Sequence, residues 1–227
     1  MKAELENKKL IPRPSVMPVD RDIWGSQLHL CNFVNAYYQF RDLEYCGEAK
    51  NVLIIGPGQG LDAHILKWRG YEVTTLDIDG TFNPDVIASA HDLSMFKDNQ
   101  FDVVIASHVL EHLPVPYLDQ CLSEFSRVSS HSIIYLPVSG RHFQGRLKLD
   151  LKGIDISFIF DLFNWFHKPD GVTARYCQGQ HYWELGMRGF RVSDLERRFR
   201  ESFEVMTSYR NQDWNPSHNF VLKAKLA

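Results

Sequence analysis

Residues 52–60 read Val52-Leu53-Ile54-Ile55-Gly56-Pro57-Gly58-Gln59-Gly60. Four apolar residues in a row, without alternation, describe a strand buried on both faces, as in a parallel sheet. Three glycines in the next five residues let the chain turn sharply and let a ligand touch its backbone. Leu61, Ile65, Leu66 and Trp68 then mark one face of a helix, with Lys67 and Arg69 in its last turn and Gly70 as its stop. The start of such a helix offers N–H groups and a positive dipole end, which suit a carboxylate or a phosphate. A plain tight turn is the alternative.

The same rhythm continues. Val73–Ile78 reads as a second strand, Val86–Ala90 as a third after the short turn Gly80–Pro84, and Phe101–Ala106 as a fourth. Pro114 and Pro116 open a helix whose apolar positions are Leu118, Cys121, Leu122, Phe125 and Val128. Ser132–Leu136 is a fifth strand. Ser193-Asp194-Leu195-Glu196 reads as a capping box at the start of a further helix. Phe203–Ser208 and Asn219–Lys225 are the last strands. Strands alternating with helices predict an α/β fold with a mainly parallel sheet.

Three regions stand outside that rhythm. Residues 1–20 carry charge and three prolines and read as an extended arm. Residues 20–45 predict one or two helices, with Leu30, Phe33, Val34 and Tyr37 sharing an apolar face. Residues 140–180 are rich in aromatics, among them Phe143, Phe158, Phe160, Phe163, Trp165 and Phe166. They are expected to form an insertion over the sheet edge. For Ile154–Phe166 a hydrophobic substrate lid, a membrane-surface helix and an ordinary packed helix all remain open. We expect one domain over 1–227: arm and helices in 1–45, core in 50–138, lid insertion in 140–180, closing helix and strands in 181–227.

Composition narrows the function classes. A chain of 227 residues with 44% hydrophobic and 23% charged residues supplies a full core and excludes wholesale disorder. A net charge of −3 argues against a general nucleic-acid binder. No run approaches the roughly 18 apolar residues of a membrane span. The charged start MKAELENKKLIPRP lacks the apolar core of a secretory signal. Cys31, Cys46, Cys121 and Cys177 form no CxxC pair, which predicts reduced thiols and a cytoplasmic protein.

Acidic residues follow the glycine loop at informative places. Asp77 ends the second strand, where a carboxylate in nucleotide-binding α/β folds accepts from ribose hydroxyls. Asp79 could share or replace that role. Asp92-Leu93 follows the third strand, where a carboxylate could accept from an adenine amino group with the Leu93 backbone N–H facing the ring, or could simply cap the next turn. The glycines are spaced GxGxG, one residue away from the GxGxxG of a dinucleotide site.

The run VLIIGPGQG, then VTTLDID, HDLSMF and FDVVIASHVLEHLP, resembles the class I S-adenosylmethionine (SAM)-dependent methyltransferases, in the branch with VLEHL after strand four. The resemblance covers about residues 50–138, and residues 180–225 look like the close of the same fold. It implies a Rossmann-like sheet of seven strands, the last antiparallel, with helices on both faces. It also implies that Gly56, Gly58 and Gly60 lie under the methionine part of SAM, that Asp77 binds the ribose with Ile78 against the adenine, and that Asp92 and Leu93 hold the adenine edge. Ser107 and His108 would lie near the transferable methyl, with Glu111 and His112 bracing the loop. Two departures stand out. Ile54 occupies the place of an acidic residue frequent in the family, and the helix between strands two and three is missing.

His108-Val109-Leu110-Glu111-His112 also reads as HxxEH, a metal-hydrolase pattern. That reading needs the histidines on a helix and a third ligand further on. A strand leads into this motif and Pro114 follows at once, so no metal is expected.

For the acceptor side, Arg141, His142, Tyr176, His181 and Trp183 are the expected substrate contacts. His181, with His108 and Glu184, is the expected catalytic group, His181 as general base. The expected function is methyl transfer from SAM to oxygen or nitrogen of a small molecule: a sugar, a glycan precursor or a secondary metabolite. The expected partner is that substrate, with no nucleic acid, no membrane span, and a homodimer allowed. The alternatives are an NAD-dependent oxidoreductase, which the GxGxG spacing disfavours, and a non-catalytic SAM-fold protein that binds a partner.

Overall fold

The computed structural model describes residues 29–149, 154–163, 165–173, 175, 179–211, 213 and 217–225. The arm expected over 1–20 lies outside these residues, as do Tyr176 and Cys177. Seven strands form one sheet: β1 Asn51–Ile55, β2 Glu72–Asp77, β3 Val86–Ile87, β4 Phe101–Ser107, β5 Ser129–Pro137, β8 Phe203–Arg210 and β9 Ser217–Ala224. Their order is β3-β2-β1-β4-β5-β9-β8. β1 pairs in parallel with β2 and β4, and β9 runs antiparallel to both β5 and β8. This is the mainly parallel, seven-stranded, Rossmann-like sheet expected from the sequence, with its last strand reversed. The third strand is shorter than expected, and a single 3-10 turn, Gly80–Phe82, stands where the family helix is missing.

The central strands are apolar because both faces are covered. Val52 and Ile54 point into one core with Ala63, Leu66 and Ile133, and Leu53 and Ile55 into the other with Leu76, Leu122 and Phe125. The helices are α1 Leu30–Asp42, α2 Leu61–Trp68, α3 Leu118–Val128 and α4 Val192–Phe199. α3 buries Leu118, Cys121, Leu122, Phe125 and Val128, the stripe read from the sequence. Each large member of that stripe contributes about 1.5–3 kcal/mol.

Three expectations need correction. The apolar face expected for α1 is its outer face: Leu30, Phe33 and Tyr37 are exposed and Val34 is half-buried. The buried side carries Asn35, Gln39 and Asp42, spaced i, i+4 and i+7, because two of these polar groups find partners inside. Asn35 bonds Ser107, and the fully buried Asp42 accepts from Tyr135 Oη at 2.6 Å, Tyr209 Oη at 2.5 Å and Arg41 at 2.8 Å.

Residues 140–149 and 154–163 are two paired strands, not a helix. β6 Gly140–Leu149 pairs antiparallel with β7 Ile154–Phe163. Alternation of apolar and polar residues along β7 has the period of a strand. Finally, α4 is capped two residues earlier than expected: Asp194 accepts from the Arg191 backbone N–H at 3.1 Å, and Ser193 is already helical.

Candidate functional site

The carboxyl ends of β1, β2 and β4 meet at one crest of the sheet, where ligands of open α/β sheets bind. At the end of β1, Gly56 has φ +67° and donates its N–H to Leu76 O at 2.8 Å. A Cβ there would lie 2.6 Å from Val109 Cγ2, so this glycine is required by the turn that follows β4. Gly58 (φ +51°) and Gly60 (φ +75°) differ: a Cβ on either would meet no heavy atom within 4 Å. The loop therefore borders open space, and α2 begins directly beneath it, with Gly60 as its N-cap.

Asp77 stands at the end of the neighbouring strand. Its Oδ1 accepts from the Asp79 backbone N–H at 2.9 Å. Burial pushes the carboxyl up from its usual range, and that hydrogen bond offsets only part of the shift. A carboxyl group so desolvated gains from hydroxyl donors. The open loop and this carboxyl together fit a nucleoside carrying a ribose diol and an amino-acid tail, as SAM does. Asp62, in the first turn of α2, accepts from Ala63 N at 2.8 Å and is likewise pushed up by burial. It is a carboxylate near the loop that could serve where Ile54 cannot.

The adenine side is partly different from expectation. Leu93 is fully buried and its backbone N–H goes to Glu124 Oε2 at 2.8 Å, so it does not face a ligand ring. Asp92 is exposed and its Oδ1 accepts from Ser94 N at 3.2 Å, the capping alternative. Ile78 is half-buried beside Asp77.

At the end of β4, Ser107 exchanges hydrogen bonds with Asn35 of α1, at 2.9 and 3.1 Å. Next to it His108 adopts φ +56°, a conformation that costs a residue with a Cβ roughly 1 kcal/mol or more. Its Nδ1 lies 3.5 Å from Glu111 Oε1. Glu111 is fully buried in the 3-10 turn Leu110–His112. Burial pushes its pKa up, but the pairing with His108 and the nearby His112 and His181 rings outweigh this and hold the carboxyl below its usual range.

The turn is fastened to the segment that follows residue 179. Tyr182 N donates to Glu111 O at 2.9 Å, and His112 Nδ1 donates to Gln180 O at 3.0 Å. His181 Nδ1 pairs with Glu184 Oε1 at 2.9 Å. The bracing expected of Glu111 and His112 is thus present, and it draws in His181 and Glu184. The remaining substrate candidates are dispersed. Arg141 and His142 are exposed on β6, opposite Leu162 and Asp161 of β7. Trp183 is a core residue, fully buried and stacked on Phe190 at 4.9 Å. Tyr176 lies outside the described residues. Asn35, Asp62 and the Glu111–His181 contact were missed in the sequence. The polar i, i+4, i+7 stripe of α1 was the readable signal for the first.

Residues 53–132 match the family described as a methyltransferase domain. The class expected from the sequence, a SAM-dependent methyltransferase, is borne out by that match. S-adenosylmethionine as its cofactor is borne out with it. A comparison with curated proteins finds no match. Among solved structures, magnesium protoporphyrin IX methyltransferase from Synechocystis PCC 6803 is 14% identical, with 90% of this chain and 92% of that one covered and a TM-score of 0.58. The N-methyltransferase NodS from Bradyrhizobium japonicum WM9 is 10% identical, with 92% and 94% covered and a TM-score of 0.56. The PH0226 protein from Pyrococcus horikoshii OT3 is 15% identical, with 88% and 93% covered and a TM-score of 0.55. At these identities the likeness is one of fold. Among the described residues no helix is long and apolar enough to cross a membrane.

Proposed function

We propose that this methyltransferase acts on an oxygen or nitrogen of a small molecule, within the branch that carries VLEHL after strand four. The observation that carries this reading is the meeting of the open Gly56–Gly60 loop, Asp77 and the Ser107–His108 turn at one crest. When bound, SAM supplies a methyl group on a positively charged sulfur, which an acceptor lone pair displaces in line. The chain's own part is to bind, align and exclude water.

In this reading Gly58 and Gly60 leave room for the amino-acid tail, with Asp62 as the carboxylate nearest its ammonium. Asp77 accepts from the ribose, with Ile78 beside the adenine. Asp92 keeps one carboxylate oxygen for the adenine amino group. Ser107, held by Asn35, and His108 border the reacting atoms. His108 receives the acceptor proton where one must be lost, with Glu111 stabilising the imidazolium so formed. The base role expected for His181 passes to His108, because His181 Nδ1 is bonded to Glu184 and its ring packs edge-on against His112. His181 and Glu184 become positioning residues.

A small acceptor is supported by the hairpin that leaves the crest after β5. Its Phe143, Phe158 and Phe160 share one exposed face and would wall an apolar acceptor, with Arg141 on that face at its root for an anionic group and His142 on the opposite one. One structural neighbour is named for methylating magnesium protoporphyrin IX, a small molecule.

Calorimetric titration with SAM and S-adenosylhomocysteine tests the crest. The wild type should bind both, and Gly58→Arg, which fills open space without touching the core, should weaken binding at least tenfold. Absence of binding by the wild type, or unchanged binding in Gly58→Arg, would refute the assignment.

A further inference from the structure

Glu111, His112 and His181 each offer one ligand atom, and these atoms all lie within 4.8 Å of one another. They come from two distant stretches of chain, the turn after β4 and the segment fastened to it. Both Glu111 and His181 are buried, and neither Glu111 carboxylate oxygen has a hydrogen-bond partner within bonding geometry.

The proton positions follow from the partners. Gln180 O can only accept, so His112 Nδ1 carries the proton in that bond. His181 Nδ1 meets the Glu184 carboxylate and carries the proton in the same way. In the neutral form of each ring Nε2 then offers the lone pair. Two ring nitrogens and a buried carboxylate, which His108 Nδ1 approaches only to 3.5 Å, therefore converge, a costly arrangement to bury. A divalent ion removes that cost. An imidazole whose other nitrogen donates to a carbonyl or a carboxylate is also the usual outer support of a metal ligand.

We propose that Glu111, His112 and His181 bind a divalent transition ion of the Zn²⁺ class. The donor set is two imidazoles and one carboxylate, which suits zinc and leaves a fourth position open. Ligand atoms around a tetrahedral zinc stand about 3.3 Å apart, so small side-chain adjustments close the site. The ion clamps the turn after β4 to the 180–184 segment, directly behind His108. Glu111 and His112, two residues of the His108–His112 stretch, thus gain a distant third ligand in His181, while His108 stays outside the set. The site stands whether or not the crest binds SAM.

The test uses the full chain without a polyhistidine tag, stripped with a chelator and titrated with Zn²⁺ against a chromophoric competitor. Co²⁺ then reports coordination by its visible absorption. One ion per chain is expected, with a tetrahedral Co²⁺ spectrum free of thiolate charge-transfer bands. Zn²⁺ should also raise the unfolding temperature of the wild type. His112→Ala and His181→Ala should each weaken binding at least 100-fold. Glu184→Gln, which touches no metal, should weaken it about 10–100-fold through the His181 ring. No stoichiometric ion in the wild type would overturn the proposal. So would thiolate bands, or wild-type affinity in folded His112→Ala and His181→Ala. The wild-type measurements decide the matter even if every variant unfolds.

Discussion

Two residues at the crest hold the same backbone region for opposite reasons. Gly56 is a glycine where a Cβ would strike Val109, and His108 is a bulky residue where a glycine would be easier. Gly56→Ala should therefore lower the melting temperature and SAM affinity together. His108→Gly should relieve about 1 kcal/mol of left-handed strain. In a protein of this size that raises the melting temperature by ~2–4 °C. Turnover should fall at least tenfold while S-adenosylhomocysteine binding stays within a few-fold. Differential scanning calorimetry and single-turnover assays check both halves. A destabilised His108→Gly would mean that its imidazole contributes more to folding than its backbone costs. Asp77 and the three glycines were readable from spacing alone, because such positions are demanded by local backbone geometry. The Leu93 N–H was misread because its partner, Glu124, sits on a different element, 31 residues away.

Among the elements, α1 and β9 carry the polar interior. Asp42 ties α1 to β5 and β8 through the hydroxyls of Tyr135 and Tyr209. Asp42→Ala leaves both hydroxyls and Arg41 without their acceptor and should cost on the order of 3 kcal/mol, measured by denaturant unfolding. His218 in β9 shares a hydrogen bond with Ser208 Oγ at 2.9 Å. Burial, with Arg210 nearby, pushes its ring down from 6.5 to about 4. The unfolded chain takes up this proton first. The stability held by the neutral ring is complete above about pH 6.5 and is lost as pH falls toward about 4, by up to ~3 kcal/mol. His218→Asn should flatten the stability profile between those values, and a profile as steep as the wild type's would refute it. The helix α1 shows why amphipathic patterns can mislead. Four apolar residues at the right spacing marked a face, but Asn35 and Asp42 had stronger claims on the interior once Ser107, Tyr135 and Tyr209 were there to meet them.

Across the whole molecule, the hairpin β6–β7 pairs with itself and is tied to the sheet through Arg210, which grips Asp161 at 3.0 and 3.1 Å. Phe158 lies across Gly145, filling the gap that the glycine leaves in β6. Replacing residues 141–162 with a short glycine–serine link should leave the seven-stranded sheet and SAM affinity intact, while abolishing turnover of any small acceptor found. Loss of SAM binding in that variant would instead make the hairpin part of the crest.

The order of strands, the glycine loop, Asp77 and the α3 stripe were legible in the residues because each follows from short-range rules: periodicity, turn geometry and the burial of parallel strands. The outward face of α1, the hairpin and the joining of His181 to Glu111 and His112 were decided by the tertiary structure. Those outcomes depend on partners far along the chain, and a buried polar group is satisfied only by what the completed fold brings to it.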